Sequence, residues 1–356
     1  MKKLFMIALC GMLVFTTSCN SKKNKTEEAK HLTTELSGAG ATFPLPFYNV
    51  VFEMFSENVG DKVAYGGIGS GGGVRNLKDE VVDFAGSDAF LNEKEMSEMP
   101  QVIHIPSCMG AVVVAYNLPG VDSLTLSGDV IAEVYAGIIR KWNDEKIQAL
   151  NKDVKLPDRE IIPTYRSDGS GTTFVFTDYL SKVNESWKNN YGTGKSVNFP
   201  VGQAAKGNPG VASTVAQTPY SIGYIGSEYA FAQKIAYAKL INANGDVVEA
   251  NAASISAAAS GEIPSDTRTS ITNSVAPGAY PISTFTWLII YQEQNYGRRD
   301  INQAKATLDM IDYILSDEAQ KITTEVHYAP LPAKAIELSK NNLEKVTFDG
   351  VAIYER

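Results

Sequence analysis

Arg166-Ser167-Asp168-Gly169-Ser170-Gly171-Thr172-Thr173-Phe174 lies between a strand pattern and a helix pattern. Ahead of it, Ile161-Ile162-Pro163-Thr164-Tyr165 reads as a buried strand. After it, Phe176, Tyr179, Leu180 and Val183 recur at the i, i+3, i+4, i+7 spacing of a helix face. A glycine- and hydroxyl-rich turn at such a junction exposes free backbone N–H groups at the positive end of a helix. Ser170 and Thr172 add hydroxyl donors, and the Arg166 guanidinium stands just upstream. The combination is a cradle for a tetrahedral oxyanion.

Working outward, two further stretches share the design. Gly38-Ala39-Gly40-Ala41-Thr42-Phe43-Pro44 precedes a helix pattern with Phe47, Val50, Val51 and Met54 on one side. Gly69-Ser70-Gly71-Gly72-Gly73 follows a strand pattern at 62–68 and precedes a helical segment from Val74. A single glycine-serine turn is ordinary turn chemistry; three at strand-to-helix junctions point to an anion site. Other strand patterns span residues 82–85, 102–105, 111–116, 161–165, 221–225 and 283–291. Helix patterns span 130–139, with Val130, Val134, Tyr135 and Ile138 on one side, and 304–315, with Ala304, Leu308, Ile311 and Leu315 in register. Alternation of the two argues for an α/β fold with mostly parallel strands. Residues 242–277 are small, polar and poorly periodic, and read as a short helix or two within long surface connections.

The N-terminus has the form of a targeting segment: Lys2 and Lys3, then an apolar run from Leu4 to Phe15 too short to span a bilayer. Thr16-Thr17-Ser18-Cys19 follows, similar to a bacterial lipobox with threonine where leucine is usual. Cleavage after residue 18 leaves a lipidated Cys19 and a polar tether over 19–33; the alternative is an ordinary signal peptide with an incidental cysteine. Cys10 leaves with the signal, so Cys108 has no intramolecular disulfide partner and reads as a small buried residue. Net charge is −8. Loss of the signal takes it to about −10, which argues against a nucleic-acid binder, where a basic face is expected, and excludes attraction of an anion by the overall field. An anion site here works through local, aimed dipoles.

These blocks, in this order, resemble the phosphate-binding proteins of bacterial phosphate ABC transporters. Further matching blocks are Asp83-Phe84-Ala85-Gly86-Ser87-Asp88-Ala89, Tyr135-Ala136-Gly137, Lys141-Trp142-Asn143-Asp144, Lys206-Gly207-Asn208, Ser221-Ile222-Gly223-Tyr224 and Tyr328-Ala329-Pro330-Leu331-Pro332. Phe90 departs from the pattern, since many members carry proline there. The resemblance implies a two-lobed periplasmic-binding-protein fold of type II. Lobe I would comprise residues 34–115 and 283–356, and lobe II residues 116–282. It also implies a phosphate ligand set: the Thr42 hydroxyl, the Phe43 N–H, Ser70, Asp88, Arg166, Ser170, the N–H groups of Gly171 and Thr172, and the Thr172 hydroxyl. Asp168 would support Arg166. The implied setting is a monomer without metal or cofactor, lipid-anchored on the periplasmic or cell-surface side of a bacterial membrane and delivering phosphate to an ABC permease. A phosphate scavenger or sensor would use the same site.

Asp88 separates phosphate from other oxyanions. A carboxylate in an anion site makes sense if the ligand keeps a proton to donate to it; sulfate has none. Asn92 with Glu95 fits a capping box, which leaves Asp88 free of that role. The enzyme reading is weak. Ser70 and Ser170 lack the Gly-x-Ser-x-Gly elbow, none of His31, His104 and His327 has a clear partner, and Gly194-Lys195-Ser196 lacks the first glycine of a Walker loop. A sulfate or molybdate binder remains the rival within the oxyanion class.

Overall fold

The computed structural model describes residues 33–354. The expected signal peptide over 1–18, Cys19, and the tether up to residue 32 lie outside the described residues. Eight strands form one mixed sheet, in the order Lys62–Gly67, Glu35–Gly40, Phe84–Ser87, Ser283–Tyr291, Val102–Tyr116, Ser221–Gly226, Ile162–Arg166, Gln203–Ala205. The first three run parallel, as do the last three. The two central strands are antiparallel to every neighbour they touch in this sheet.

Val102–Tyr116 holds the two halves of the sheet together. Its first part, through Ala111, pairs with Ser283–Tyr291; from Val112 it pairs with Ser221–Gly226. The sequence patterns placed two strands here, at 102–105 and 111–116, separated at Pro106. A proline removes a ladder donor, but the register shifts between Thr286 and Trp287, and this bulge absorbs the irregularity at Pro106 and Ser107. The Ser107 hydroxyl is tied in by Tyr48 at 2.9 Å.

Each half contributes an aromatic group to the core. In the first, Tyr48, Phe52, Tyr65 and Phe84 pack ring on ring. In the second, Tyr135, Phe176, Phe199 and Tyr224 do so, with Phe176 stacked on Tyr224 at 4.2 Å. Each ring takes ~150–250 Å² out of water, about 4–6 kcal/mol of transfer free energy, and both sets of rings belong to one continuous apolar core.

Several local expectations shift. The helix after Pro44 spans Leu45–Val59 and buries Phe47, Tyr48, Val51, Phe52 and Phe55. Val50 and Met54, expected on the buried face, are only half-buried at its edge. The helix expected over 130–139 is Gly128–Tyr135. Gly137 takes φ +73° just beyond it, a left-handed position that stops the helix, and Ile138 lies on the surface. The 304–315 pattern is the helix Ile301–Ile314, with Leu315 its C-cap, and 283–291 is a strand as read. The strand read at 82–85 lies two residues later, at Phe84–Ser87. Within 242–277 there is one helix, Ala252–Ala258.

The glycine-rich stretches are not simple turns. Gly38 and Gly40 lie inside the strand Glu35–Gly40, and Gly71 to Gly73 form the first turn of the helix Ser70–Lys78. A Cβ on Gly73 would stand 2.3 Å from the Ala39 carbonyl oxygen and 2.5 Å from Gly40 Cα. The missing side chain lets that helix lie directly on the strand backbone.

This gives a paired prediction. Gly73→Ala should destabilise by more than ~2 kcal/mol, because backbone must move and the ~1 kcal/mol gain in helix propensity cannot offset it. Gly210→Ala, in the helix Gly207–Gln217 with its nearest contact at 3.6 Å, should be neutral or stabilising by ~0.5–1 kcal/mol. Urea denaturation of the two variants beside wild type checks both signs.

Candidate functional site

The candidate residues share one structural address. Thr42 and Phe43 follow the end of Glu35–Gly40, Ser70 follows Lys62–Gly67, and Asp88 follows Phe84–Ser87. Arg166 ends its strand, Ser170 to Thr172 follow it, and Asn208 follows Gln203–Ala205. All stand at carboxyl ends of parallel strands, where an open α/β sheet places its ligand crevice. Hydrogen bonds join the two sets directly. Gly171 N–H donates to Ser70 Oγ at 3.0 Å, and Asn208 N–H and Nδ2 donate to Thr42 Oγ1 at 3.1 and 3.0 Å. Thr42, Ser70, Asp88, Arg166, Ser170, Thr172 and Asn208 are all buried.

Ser170 caps the helix Gly171–Val183, its Oγ accepting from Thr173 N–H at 3.0 Å. Phe43 contributes by its backbone position. Its ring lies in the core edge-on to Tyr328, and its carbonyl accepts from the Tyr328 hydroxyl. Asn92 and Glu95 form the expected capping box.

Arg166 and Asp168 form a fork-to-fork pair: Nε to Oδ1 at 2.9 Å and Nη2 to Oδ2 at 2.6 Å. The Arg166 side chain is 1% exposed, so this is an interior pair and not a surface salt bridge. Burial opposes the charge on Asp168, but the Arg166 hydrogen bonds and charge and the Gly207 N–H outweigh it and hold its carboxyl below the usual range. Gly69 has φ +90°, and a Cβ there would meet Asp168 Oδ2 at 2.3 Å, so glycine leaves room for the carboxylate that orients Arg166.

Asp88 is the opposite case. Burial pushes its pKa up to about 7, against the lowering effects of the Thr286 hydroxyl, the Arg166 charge and the Thr172 hydroxyl. Thr286 Oγ1 donates to Oδ1 at 2.8 Å, and Thr172 Oγ1 lies 3.4 Å from Oδ2. The junction thus holds a neutralised guanidinium and one carboxyl that changes charge near neutrality, among N–H and O–H donors.

A model of the PBP superfamily domain matches residues 25–318. Over 307 residues the chain is 38% identical to the phosphate-binding protein PstS of Pasteurella multocida, covering 85% of this chain and 88% of the relative. It is 34% identical over 352 residues to the phosphate-binding protein PstS of Methanocaldococcus jannaschii, covering 92% and 90%. The chain belongs to the PstS family of phosphate-binding proteins. Among solved structures it shares its fold with a high affinity periplasmic phosphate-binding protein, PfluDING, bound with phosphate. That match has a TM-score of 0.72 at 24% identity and covers 86% of this chain and 93% of that one.

Two polar residues of this junction went unassigned in the sequence. Asn208 lay in a matching block without a role, and Thr286 lay in a strand pattern with no local cue. Strand register alone brings Thr286 to Asp88 across the sheet. A third, Glu228, is buried at the start of the helix Ser227–Gln233, and its carboxyl oxygens have no hydrogen-bond partner among the described residues. Burial, helped by the Asp88 charge, raises its pKa well above the ordinary value.

The shift at Asp88 has a signed consequence for stability. With an ordinary value of 3.8 and a folded value of about 7, the native state keeps a proton that the unfolded chain has released. Stability from this group is fully present below its unfolded pKa and is lost as pH rises toward its folded one. Between pH 5 and 7.5, ligand-free Asp88→Asn should lose less unfolding free energy than wild type, by on the order of 2 kcal/mol. Glu228 adds a slope of the same sign to both proteins. Urea titrations in a phosphate-free buffer measure the difference.

Proposed function

We propose that this chain binds inorganic phosphate between two closing lobes and delivers it to the permease of a phosphate ABC transporter. The observation that carries this reading is the buried Asp88 carboxyl standing among donors. The donors suit any tetrahedral oxyanion, whereas a carboxylate acceptor suits one that still carries a proton. Relatives over most of the chain are phosphate-binding proteins PstS. A Clostridium perfringens protein of the same fold is a putative phosphate ABC transporter substrate-binding protein with bound phosphate. Its TM-score is 0.61 at 20% identity, over 84% of this chain and 100% of that one.

The ligand set is the Thr42 hydroxyl, Phe43 N–H, Ser70, Asp88, Arg166, Ser170, Gly171 N–H and Thr172, with Asp168 holding Arg166. Lobe I comprises residues 34–115 and 283–356, and lobe II residues 116–282. The change of partner along Val102–Tyr116 supports a crossing between lobes within this strand, with the change falling at Ala111/Val112, a few residues ahead of 115. The protein is a monomeric binder and not an enzyme. Buried His104, its pKa lowered by burial to about 3, accepts from Leu91 N–H and is a structural acceptor, not a base. Cys19 carries the lipid that holds the mature chain on the periplasmic or cell-surface side of a bacterial membrane. No helix among the described residues is long and apolar enough to cross one.

Selectivity tests the role of Asp88. Wild type should prefer phosphate to sulfate by ~10⁴ or more at pH 8. Below about pH 7 the preference should weaken, because a protonated Asp88 can donate to sulfate. Asp88→Asn, which donates at every pH, should cut the ratio at least ~100-fold and flatten its pH dependence. Calorimetry with both anions decides it; a ratio unchanged in the variant sinks the proton-sensing role.

Closure is tested separately. A Cβ on Gly171 would meet Ser70 Oγ at 2.5 Å and Asp88 N at 2.7 Å, both from the other lobe. Gly171→Ala should therefore fold normally yet resist closing. Phosphate should lower the radius of gyration of wild type in small-angle scattering and leave that of the variant nearly unchanged, with affinity down at least ~100-fold.

A further inference from the structure

Asn208 is fully buried in the first turn of the helix Gly207–Gln217, and its hydrogen bonds leave no freedom. Oδ1 accepts from Gly226 N–H at 3.1 Å, which fixes which end of the amide is oxygen. Nδ2 is thereby turned toward two hydroxyls and donates to Thr42 Oγ1 at 3.0 Å and Thr172 Oγ1 at 3.1 Å. The Asn208 backbone N–H also donates to Thr42 Oγ1, at 3.1 Å. A hydroxyl offers one donor and two lone pairs. Both lone pairs of Thr42 are occupied by Asn208. Those of Thr172 are taken by Asn208 and by Arg166 Nη1 at 3.4 Å. Neither hydroxyl has an acceptor site left, so each can only donate: in the ligand-free site Thr172 Oγ1 donates to Asp88 Oδ2 at 3.4 Å, a bond an arriving anion oxygen would take over.

We propose that Asn208 is a positioning residue that makes Thr42 and Thr172 obligatory donors to the anion, and so leaves Asp88 as the acceptor for the ligand's own proton. The inference rests on the reading that Thr42 and Thr172 bind phosphate. Its physical content is a constraint on hydrogen direction. A hydroxyl free to rotate can accept a P–O–H as readily as it donates to P–O⁻, and would blur discrimination by protonation state. Fixed as donors, the two threonines receive only unprotonated oxygens. The same amide spans the junction, since Thr42 and Thr172 lie in the two halves of the sheet.

The test is calorimetric titration of the mature, ligand-free protein with inorganic phosphate, with thermal unfolding of each variant as a fold control. Asn208→Asp keeps the shape and replaces the paired donor by an acceptor at neutral pH. The two hydroxyls then donate inward and face the anion with lone pairs. Affinity should fall at least ~100-fold at pH 8, and the deficit should narrow toward pH 5 as the introduced carboxyl regains a proton. Asn208→Ala should cost about tenfold, because the hydroxyls lose their orientation and keep their chemistry. That cost should vanish in a Thr42→Val, Thr172→Val background, where no hydroxyl remains to orient. An Asn208→Asp protein within threefold of wild type overturns the proposal. So does an Asn208→Ala loss that persists undiminished in the valine background, since that marks a structural role. If the valine pair alone leaves phosphate binding intact, the ligand assignment itself has failed, and the positioning role falls with it.

Discussion

Two stretches of backbone from opposite halves of the sheet touch at Gly71 and Gly169. Gly71 N–H donates to the Gly169 carbonyl at 2.9 Å, and a Cβ on Gly71 would lie 3.2 Å from Gly169 Cα. A Cβ at either position would crowd the facing backbone, at 3.2–3.3 Å. With glycine there, Ser70 comes within reach of Gly171 N–H, Asn208 reaches Thr42, and Asp88 faces Thr172. The polar atoms of the junction are then buried and must satisfy one another or an anion, because an unpaired buried donor costs ~1–3 kcal/mol. The chemistry of the site is thus a consequence of how closely two backbones can approach.

The charge balance follows the same logic. A chain of net charge −8 cannot gather an anion by its overall field, and Arg166, neutralised by Asp168, supplies geometry more than charge. What faces the crevice is a set of aimed donors and one carboxyl that burial leaves near its titration point. Fixed dipoles in a dry enclosure are little weakened by salt. Each half of the sheet carries only part of these groups.

Aromatic and ionic contacts also join the two halves. Phe90 lies edge-on to Phe174 at 5.7 Å and to Trp287 at 5.7 Å, so this departure from the usual proline gives the two halves an aromatic contact. Lys195 pairs with Glu95 across the same junction, while the Lys195 carbonyl accepts from Ser170 N–H at 2.8 Å. A half-exposed ion pair contributes ~1 kcal/mol or less. Its position ties the rim of the crevice to the helix cap beneath it. Arg268 reaches Leu91 and Glu93, while Lys182 bonds Ser270 and Thr272. The weakly periodic segment around 265–272 therefore straps elements of both halves.

Much of this was legible in the sequence, because it depends on neighbours along the chain. The strand–turn–helix unit at Arg166, the Arg166–Asp168 pair and the Asn92–Glu95 capping box are set by local geometry among near neighbours in sequence. Strong periodicity likewise located the strand at 283–291 and the helix near 304–315. The sequence was silent or misleading where a distant partner decides. Pro106 looked like a strand end, but a bulge against Thr286 and Trp287 carries the strand through. Gly71 to Gly73 looked like a turn, but they form a helix because the strand at 35–40 lies beneath them. Thr286 and Asn208 carry no local mark of function. Thr286 meets Asp88 across 198 positions of sequence, and Asn208 meets Thr42 across 166. Residue type and spacing determined which chemistry the chain could offer. Only the sheet order, by setting parallel strand ends beside one another, decided which groups share a hydrogen bond.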